Sequence, residues 1–328
     1  FCDSRAADHE ELETNMDIAA AMTFLSGWLT ASVRMATPLI FASLGQVFTQ
    51  GSGVLDMSVE AMMMMGALGG FAGAYYSGNL LIGVIVGAAA GMLVGIFGAY
   101  FYVGLKANQV LAGVIIVITI GGLATVINRI LFGGAYIPST VPKFEALEIP
   151  WLSQIPFLGA VLFHHNVLTY ISWLLAPVAY AFLNWTAIGL SIRAVGESPM
   201  AADAQGINVS LVRYCCTALG GAMAGIGGAF LTLGYMGMYV DNIVSGRGWI
   251  ALSLVIFSQW NPLLVLAGAF FFGGVGALQL RFQSAGAAIA PQLLQMLPYV
   301  LTVAALVFIS RRGSGPAALG LPYEKELA

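Results

Sequence analysis

Charged residues are scarce in this sequence, and two of the places where they meet apolar runs have the types and spacing to do chemistry. In TQGSGVLDMSVEAMMMMGA (49–67), Gly51, Ser52 and Gly53 interrupt the chain, and Asp56 and Glu60 begin the next apolar run. In YVDNIVSGRGWIALSLVIFSQWNP (239–262), Asp241, Ser245, Gly246, Arg247 and Gly248 precede another. An ionisable group at membrane depth is expensive and by default a functional candidate. Paired glycine-broken interruptions point to a substrate pathway, because freed backbone groups can face a cavity. Asp56, Glu60, Asp241 and Arg247 are therefore pathway candidates. Asn108, Gln109, Trp260 and Asn261 join them, as amides and an aromatic ring able to hydrogen-bond or stack a ligand. Two other readings stay open. Each stretch fits an ordinary capped helix start, where acidic groups are favourable, and Asp56, Glu60 and Asp241 could form the relay of an ion-coupled secondary transporter.

Several chemistries are excluded. The lysines are Lys106, Lys143 and Lys325, and none ends a Gly-Lys-Ser/Thr phosphate loop. The histidines are His9, His164 and His165, with none inside an apolar run, so a histidine-dependent hydrolase or zinc site has nothing to build on. Cys2, Cys215 and Cys216 make neither a disulfide framework nor a metal site. We expect no metal, no cofactor and no nucleic acid on this chain.

The elements that must position the candidates are set by hydrophobicity. Only 8% of the 328 residues are charged and 59% are hydrophobic, with mean hydropathy +0.89, against about 25% charged in a soluble domain. A bilayer core needs about 20 apolar residues per helical span. Apolar segments run over 18–48, 58–77, 80–104, 109–131, 167–184, 211–236, 244–258, 262–280 and 288–310. The first carries Arg34 and Thr37-Pro38, where we expect a break. The chain thus reads as an all-α polytopic transmembrane bundle of nine or ten spans with discontinuous helices. Its domain would run over 18–310, after a polar tail at 1–17 in which Met16 reads as the natural start.

Arg311 and Arg312 close the last span and Arg193 and Arg213 flank 193–213, which the positive-inside bias places in the cytoplasm. A cytoplasmic tail then covers 311–328, a cytoplasmic loop 185–210, and an external loop 132–166 that holds Pro138, Pro142, Pro150 and Pro156. Between the arginines, RAVGESPMAADAQGINVSLVR reads as a short polar helix. Ser198 suits the N-cap, Pro199 the first helical position and Gly206 the left-handed C′ position. Ala201 and Ala202 would offer a flat surface on which another protein docks.

Seven blocks in order resemble one family: ATPLIFASLG (36–45), GSGVLDMSVEAMMMMGA (51–67), KANQVLAG (106–113), GLSIRAVGESPMAADAQGINV (189–209), SGRGWIALSLVIFSQWNP (245–262), QLLQMLPY (292–299) and PAALGLPY (316–323). The chain resembles the branched-chain amino acid and sugar type of ABC importer permease, in its nucleoside and simple-sugar branch, over residues 35–325. Glu197, Ala201, Ala202 and Gly206-Ile207 look like the E-A-A-x-x-x-G pattern of a coupling helix, although the acid here stands four places before the alanines. The resemblance implies ATPase-coupling roles for Glu197, Ser198, Pro199, Ala201, Ala202 and Gly206. It also implies a multi-pass transport subunit of a bacterial inner membrane rather than an enzyme. Its expected partners are a second homologous permease subunit, a cytoplasmic ATPase that holds ATP and Mg, and an extracytoplasmic substrate-binding lipoprotein. Nucleosides are the expected cargo, with simple sugars or riboflavin as alternatives.

Overall fold

The computed structural model describes residues 3–133, 139–148, 158–284 and 315–324, with four isolated helical positions between 293 and 303, and side chains from Met22 onward. The apolar segment 288–310, apart from those positions, and Arg311 and Arg312 lie outside the described residues.

α1 (Asp3–Gly51) is one unbroken helix through Pro38, so the break expected at Thr37-Pro38 is absent. Proline leaves a carbonyl one turn back without its donor, and nearby Ser/Thr hydroxyls re-satisfy such groups in membrane helices. The carbonyl that Pro38 leaves without its donor is that of Arg34; Thr37 Oγ1 donates to the neighbouring Val33 carbonyl at 3.0 Å, and α9 packs closely on this turn, with Gly227 against the Pro38 carbonyl. A non-helical stretch, 52–58, leads into α2 (Val59–Ser77), which stops at left-handed Gly78. Asn79 then caps α3 (Leu80–Ala99) through the Leu81 amide, and α3 passes into a π segment, Tyr100–Gly104. Asn108 caps α4 (Gln109–Phe132). A small antiparallel pair, β1 (Ala146–Glu148) with β2 (His164–Asn166), encloses α5 (Leu158–Leu162). α6 (Val167–Trp185), α7 (Ala187–Glu197) and α8 (Pro199–Ala204) follow, then α9 (Val209–Ala229), which runs into a second π segment, Phe230–Met236. α10 (Arg247–Phe257) is short, and α11 (Pro262–Ser284) follows it closely.

Among the described residues five elements are long and apolar enough to cross a membrane: Leu80–Gly104, Gln109–Phe132, Val167–Trp185, Val209–Met236 and Pro262–Gln283. α10, at 11 residues, is too short to cross alone. Leu81, Ile85, Leu93, Ile115, Ile118, Ile130 and Leu174 stand exposed on α3, α4 and α6. Outward apolar side chains over an ordered interior make the chain a helical membrane bundle, with lipid as its solvent.

Within that solvent there is little hydrophobic drive between helices, so packing rests on close backbone approach. α9 is the pillar, in contact with α1, α2 and α3. Gly66 of α2 lies against Gly225 and Gly70 against Ala229, so α2 runs parallel to α9; Gly91 and Gly95 of α3 meet Gly221 in the opposite sense. A Cβ on Gly221 would sit 2.5 Å from the Gly91 carbonyl oxygen and 3.1 Å from Gly95 Cα. Backbone that close cannot move aside. Gly122 of α4, by contrast, has nothing within 4 Å of that position. Gly221→Leu should therefore destabilise the bundle by about 3 kcal/mol or more and abolish a monodisperse peak in detergent size-exclusion chromatography, while Gly122→Leu elutes as wild type.

At the β1–β2 end, His165 is buried, with Nε2 2.8 Å from the Val161 carbonyl and Nδ1 without a partner. Burial pulls its pKa below the ordinary value of 6.5. The unfolded chain then binds the proton more readily than the folded one, so the stabilisation is complete above about pH 6.5 and fades as pH falls through the lowered folded value. Melting temperature should fall between pH 7 and 5 in the wild type and fall less in His165→Gln.

Candidate functional site

The two glycine-broken stretches meet. Gly225 lies about 24 Å along the α9 axis from Val209, and Glu60 sits about 9 Å back from Gly66, which puts Glu60 about 15 Å along a pillar of about 40 Å. Glu60 is therefore at membrane depth, and it is buried, at 3% exposure. Its Oε1 accepts from the Gly246 amide and its Oε2 from the Gly248 amide, both at 2.7 Å. Gly246 is the N-cap of α10, in the left-handed region with φ +81°. A helix N-terminus has orphan N–H groups and a partial positive charge. Glu60 satisfies two of those groups with a bidentate, charge-assisted pair, which is the strong kind of hydrogen bond. The first turn of α2 thus caps the first turn of α10.

One turn earlier, Asp56 anchors the non-helical 52–58 stretch. It is fully buried, and its Oδ1 accepts from the Ser58 amide at 2.8 Å, Ser58 Oγ at 2.6 Å and the Tyr102 hydroxyl at 3.0 Å. Gln109, also buried, takes the Leu55 amide on Oε1 at 2.7 Å. Arg247 folds its Nη1 back on the carbonyls of Ile243 and Val244, at 3.1 and 2.9 Å. It lines a cavity of about 610 Å³ between α1, the turn before α10 and α11, with Asn242, Ser245, Gln279 and Gln283.

The other candidates lie elsewhere. Asp241 is exposed, and its Oδ1 takes Asn128 Nδ2 at 3.3 Å near the far end of α4. Asn108 is exposed and spends its Oδ1 on the amides of Val110 and Leu111, both at 3.1 Å. Trp260 and Asn261 share a cavity of about 680 Å³ with Arg193 and Glu197. The Trp260 indole donates to Gln50 Oε1 at 2.9 Å, and Asn261 Oδ1 takes the Leu263 amide at 3.0 Å. Four of the eight candidates, Asp56, Glu60, Gln109 and Arg247, therefore serve one junction.

Around α8 the local chemistry follows the sequence. Ser198 Oγ takes the Ala201 amide at 3.4 Å and Pro199 opens the helix. Gly206 (φ +83°) donates to Asp203 O at 2.9 Å and Ile207 to Ala202 O at 3.1 Å, the paired bonds of a Schellman ending. One expectation needs correction. Ala201 is exposed, but Ala202 is 3% exposed and packs with Val195 and Val209, so it belongs to the inner face of α8. The outward surface is made by Ala201 with Met200, which is 59% exposed.

Sequence reasoning missed Tyr102, the third donor to Asp56, and the role of Gly246 and Gly248 as ligands of Glu60. It also read Arg213 only as a surface charge, whereas Arg213 is 1% exposed. Its position at the head of an apolar run was the available signal. Among the described residues no group of three or more His, Cys, Asp or Glu could hold a metal ion.

Replacing Glu60 by Gln would turn an amide NH₂ toward one of the α10 donors. We expect Glu60→Gln to cost about 2 kcal/mol, read as a lowered melting temperature of the purified protein. Asp241→Asn, at an exposed position, should stay within about 0.5 kcal/mol of wild type.

A family model described as branched-chain amino acid transport system / permease component matches residues 28–306. A Haloferax volcanii protein provisionally named as a glucose ABC transporter permease is 36% identical, over 93% of this chain and 100% of its own. The guanosine ABC transporter permease of Bacillus subtilis is 32% identical, over 94% and 99%. The nucleoside ABC transporter permease of Lactococcus lactis subsp. cremoris is 30% identical, over 88% and 94%. No solved structure matches the chain.

Proposed function

Since the chain belongs to the branched-chain amino acid transport system / permease component family, we propose that it is the nucleoside-translocating permease subunit of an ATP-binding cassette importer. The observation that carries the cargo class is the near full-length similarity to permeases named for guanosine and for nucleosides. A second reading, sugar import by the same machinery, is favoured by the Haloferax relative. An ion-coupled relay is disfavoured by geometry: both oxygens of Glu60 are engaged by α10 amides, the three donors at Asp56 crowd its Oδ1, and Asp241 is remote at the far end of α4.

In this reading the permease domain is 18–310, and α1, α2, the 244–258 segment that holds α10, and 288–310 join the five long apolar elements as spans. α7 and α8 face the cytoplasm, and 132–166 lies outside. The chain pairs with a second homologous permease subunit, receives substrate from an extracytoplasmic lipoprotein, and carries no cofactor; ATP and Mg belong to the partner ATPase. α8 seats in that ATPase through Met200 and Ala201, with Ser198, Pro199 and Gly206 fixing its ends and Glu197 its approach. Closure of the ATPase on ATP moves α8, and the bundle opens alternately to either side. What the coupling surface needs is stiffness, which a helix capped at both ends supplies.

Coexpression with the neighbouring permease and the ATPase, reconstitution with the binding lipoprotein and measurement of labelled guanosine uptake tests this directly. ATP-dependent uptake that excess ribose or glucose leaves unchanged supports nucleoside import, and uptake abolished by a sugar moves the cargo to sugars. Ala201→Arg, on the exposed face, should cut ATP-driven uptake by about tenfold or more while the chain elutes normally. Unchanged uptake would remove α8 from the coupling role.

A further inference from the structure

We propose that the C-terminal segment 315–324, gripped by Arg213, is a strap that couples α8 to the junction where α2 and α10 meet, with Arg213 as its positioning residue. The proposal rests on the importer reading above for what the coupling serves, and on contacts alone for the strap itself.

One end of the segment holds the α7–α8 corner. The Ala318 amide donates to Gly196 O and the Ala317 amide to Glu197 Oε2, both at 2.9 Å. Gly196 and Glu197 immediately precede Ser198, the residue that caps α8. Tyr323 packs on Val195, Ala202 and Val209, the cluster beneath the inner face of α8. The middle of the segment, at Gly320 and Leu321, holds the stretch that leads into α2. The Gly320 amide donates to Gly53 O at 3.0 Å. Arg213, near the start of α9, donates Nε to Ser52 O at 3.2 Å and Nη1 to Leu321 O at 3.0 Å. One guanidinium thus clasps both the tail and the chain break.

Downstream the connection is short. Gly53 has φ +89°, and a Cβ there would lie 2.9 Å from Arg213 Nη2, so the arginine fills the space that the glycine leaves. Leu55 is tied to Gln109, and Asp56 to Ser58 and Tyr102. Glu60 follows in the first turn of α2 and holds the amides of α10. The path from α8 to the broken stretches thus runs through backbone groups and hydrogen-bonded side chains.

The chemistry of Arg213 favours positioning over bulk stability. A buried charge is costly, and an apolar residue of similar size often packs as well or better. Arg213 directs Nε and Nη1 to main-chain carbonyls, not to a carboxylate. It spends its fork on two carbonyls from distant parts of the chain. Lysine is a single mobile point donor and does not reproduce that fork, so Arg213→Lys keeps the charge and loses the clasp.

The test uses the assembled complex in proteoliposomes, with guanosine uptake and ATP hydrolysis measured together for Arg213→Lys, for deletion of 315–328 and for both. The expected result is ATP hydrolysis within about twofold of wild type, with uptake per ATP lowered about tenfold in each, and a double variant no worse than the deletion, since contacts acting through one unit are not additive. Unchanged uptake per ATP, independent multiplying losses, or failure of both variants to assemble overturns the strap; the last would make these contacts a folding requirement. Hydrogen exchange on purified Arg213→Lys gives an arm independent of transport. Faster exchange at both 52–56 and 194–197 is expected, and a change confined to 321–324 overturns the proposal. If the wild-type complex shows no ATP-driven uptake of nucleoside or sugar, the importer reading fails, and the exchange arm still decides the strap.

Discussion

In hydrocarbon every backbone N–H and C=O must find a partner inside the protein, because water is not there to supply one. A membrane chain can interrupt a helix only where something else takes up the freed groups. Here that something is a carboxylate on another helix: Glu60 takes two amides at the start of α10. Its own helix begins in the same layer, after a stretch pinned by Asp56 and Gln109. The start of α10 therefore depends on where α2 begins. The most expensive residues in the sequence are thus the ones that allow it to leave regular structure at depth.

The pillar supports that junction. α9 lies against α1, α2 and α3 at glycine-to-backbone distance, so the origin of α2, and with it Glu60, is fixed relative to α9. Arg213 and Val209, which meet the tail and the α8 cluster, sit at the start of the same helix. Packing and polar contacts therefore share one rigid reference.

Much of this was legible in the sequence. The ends of α2 and α4 follow from apolar runs closed by glycine, the starts of α6 and α11 from an asparagine before an apolar run, and α8 from Ser198, Pro199 and Gly206, whose caps are local chemistry. Pro38 misled, because proline is read as a break, whereas a membrane helix can carry it where a neighbouring helix packs closely, as α9 does at Gly227. Asp56 and Glu60 could be singled out by cost, but not joined to Gly246 and Gly248, since pairing across the chain leaves no local pattern. Ala202 was placed outward because two adjacent alanines look alike, and only the positions of Val195 and Val209 show which one faces in.

The Glu60 contact also sets a clock for biosynthesis. Its partner amide at Gly246 is 186 residues further along the chain. At about 5–20 residues per second of synthesis, a nascent α2 waits on the order of 10–40 s before the group that occupies its carboxylate exists. During that interval the early helices carry a costly side chain whose final partners have not been made. Until α10 arrives, Glu60 lacks the two amides that occupy it in the finished fold.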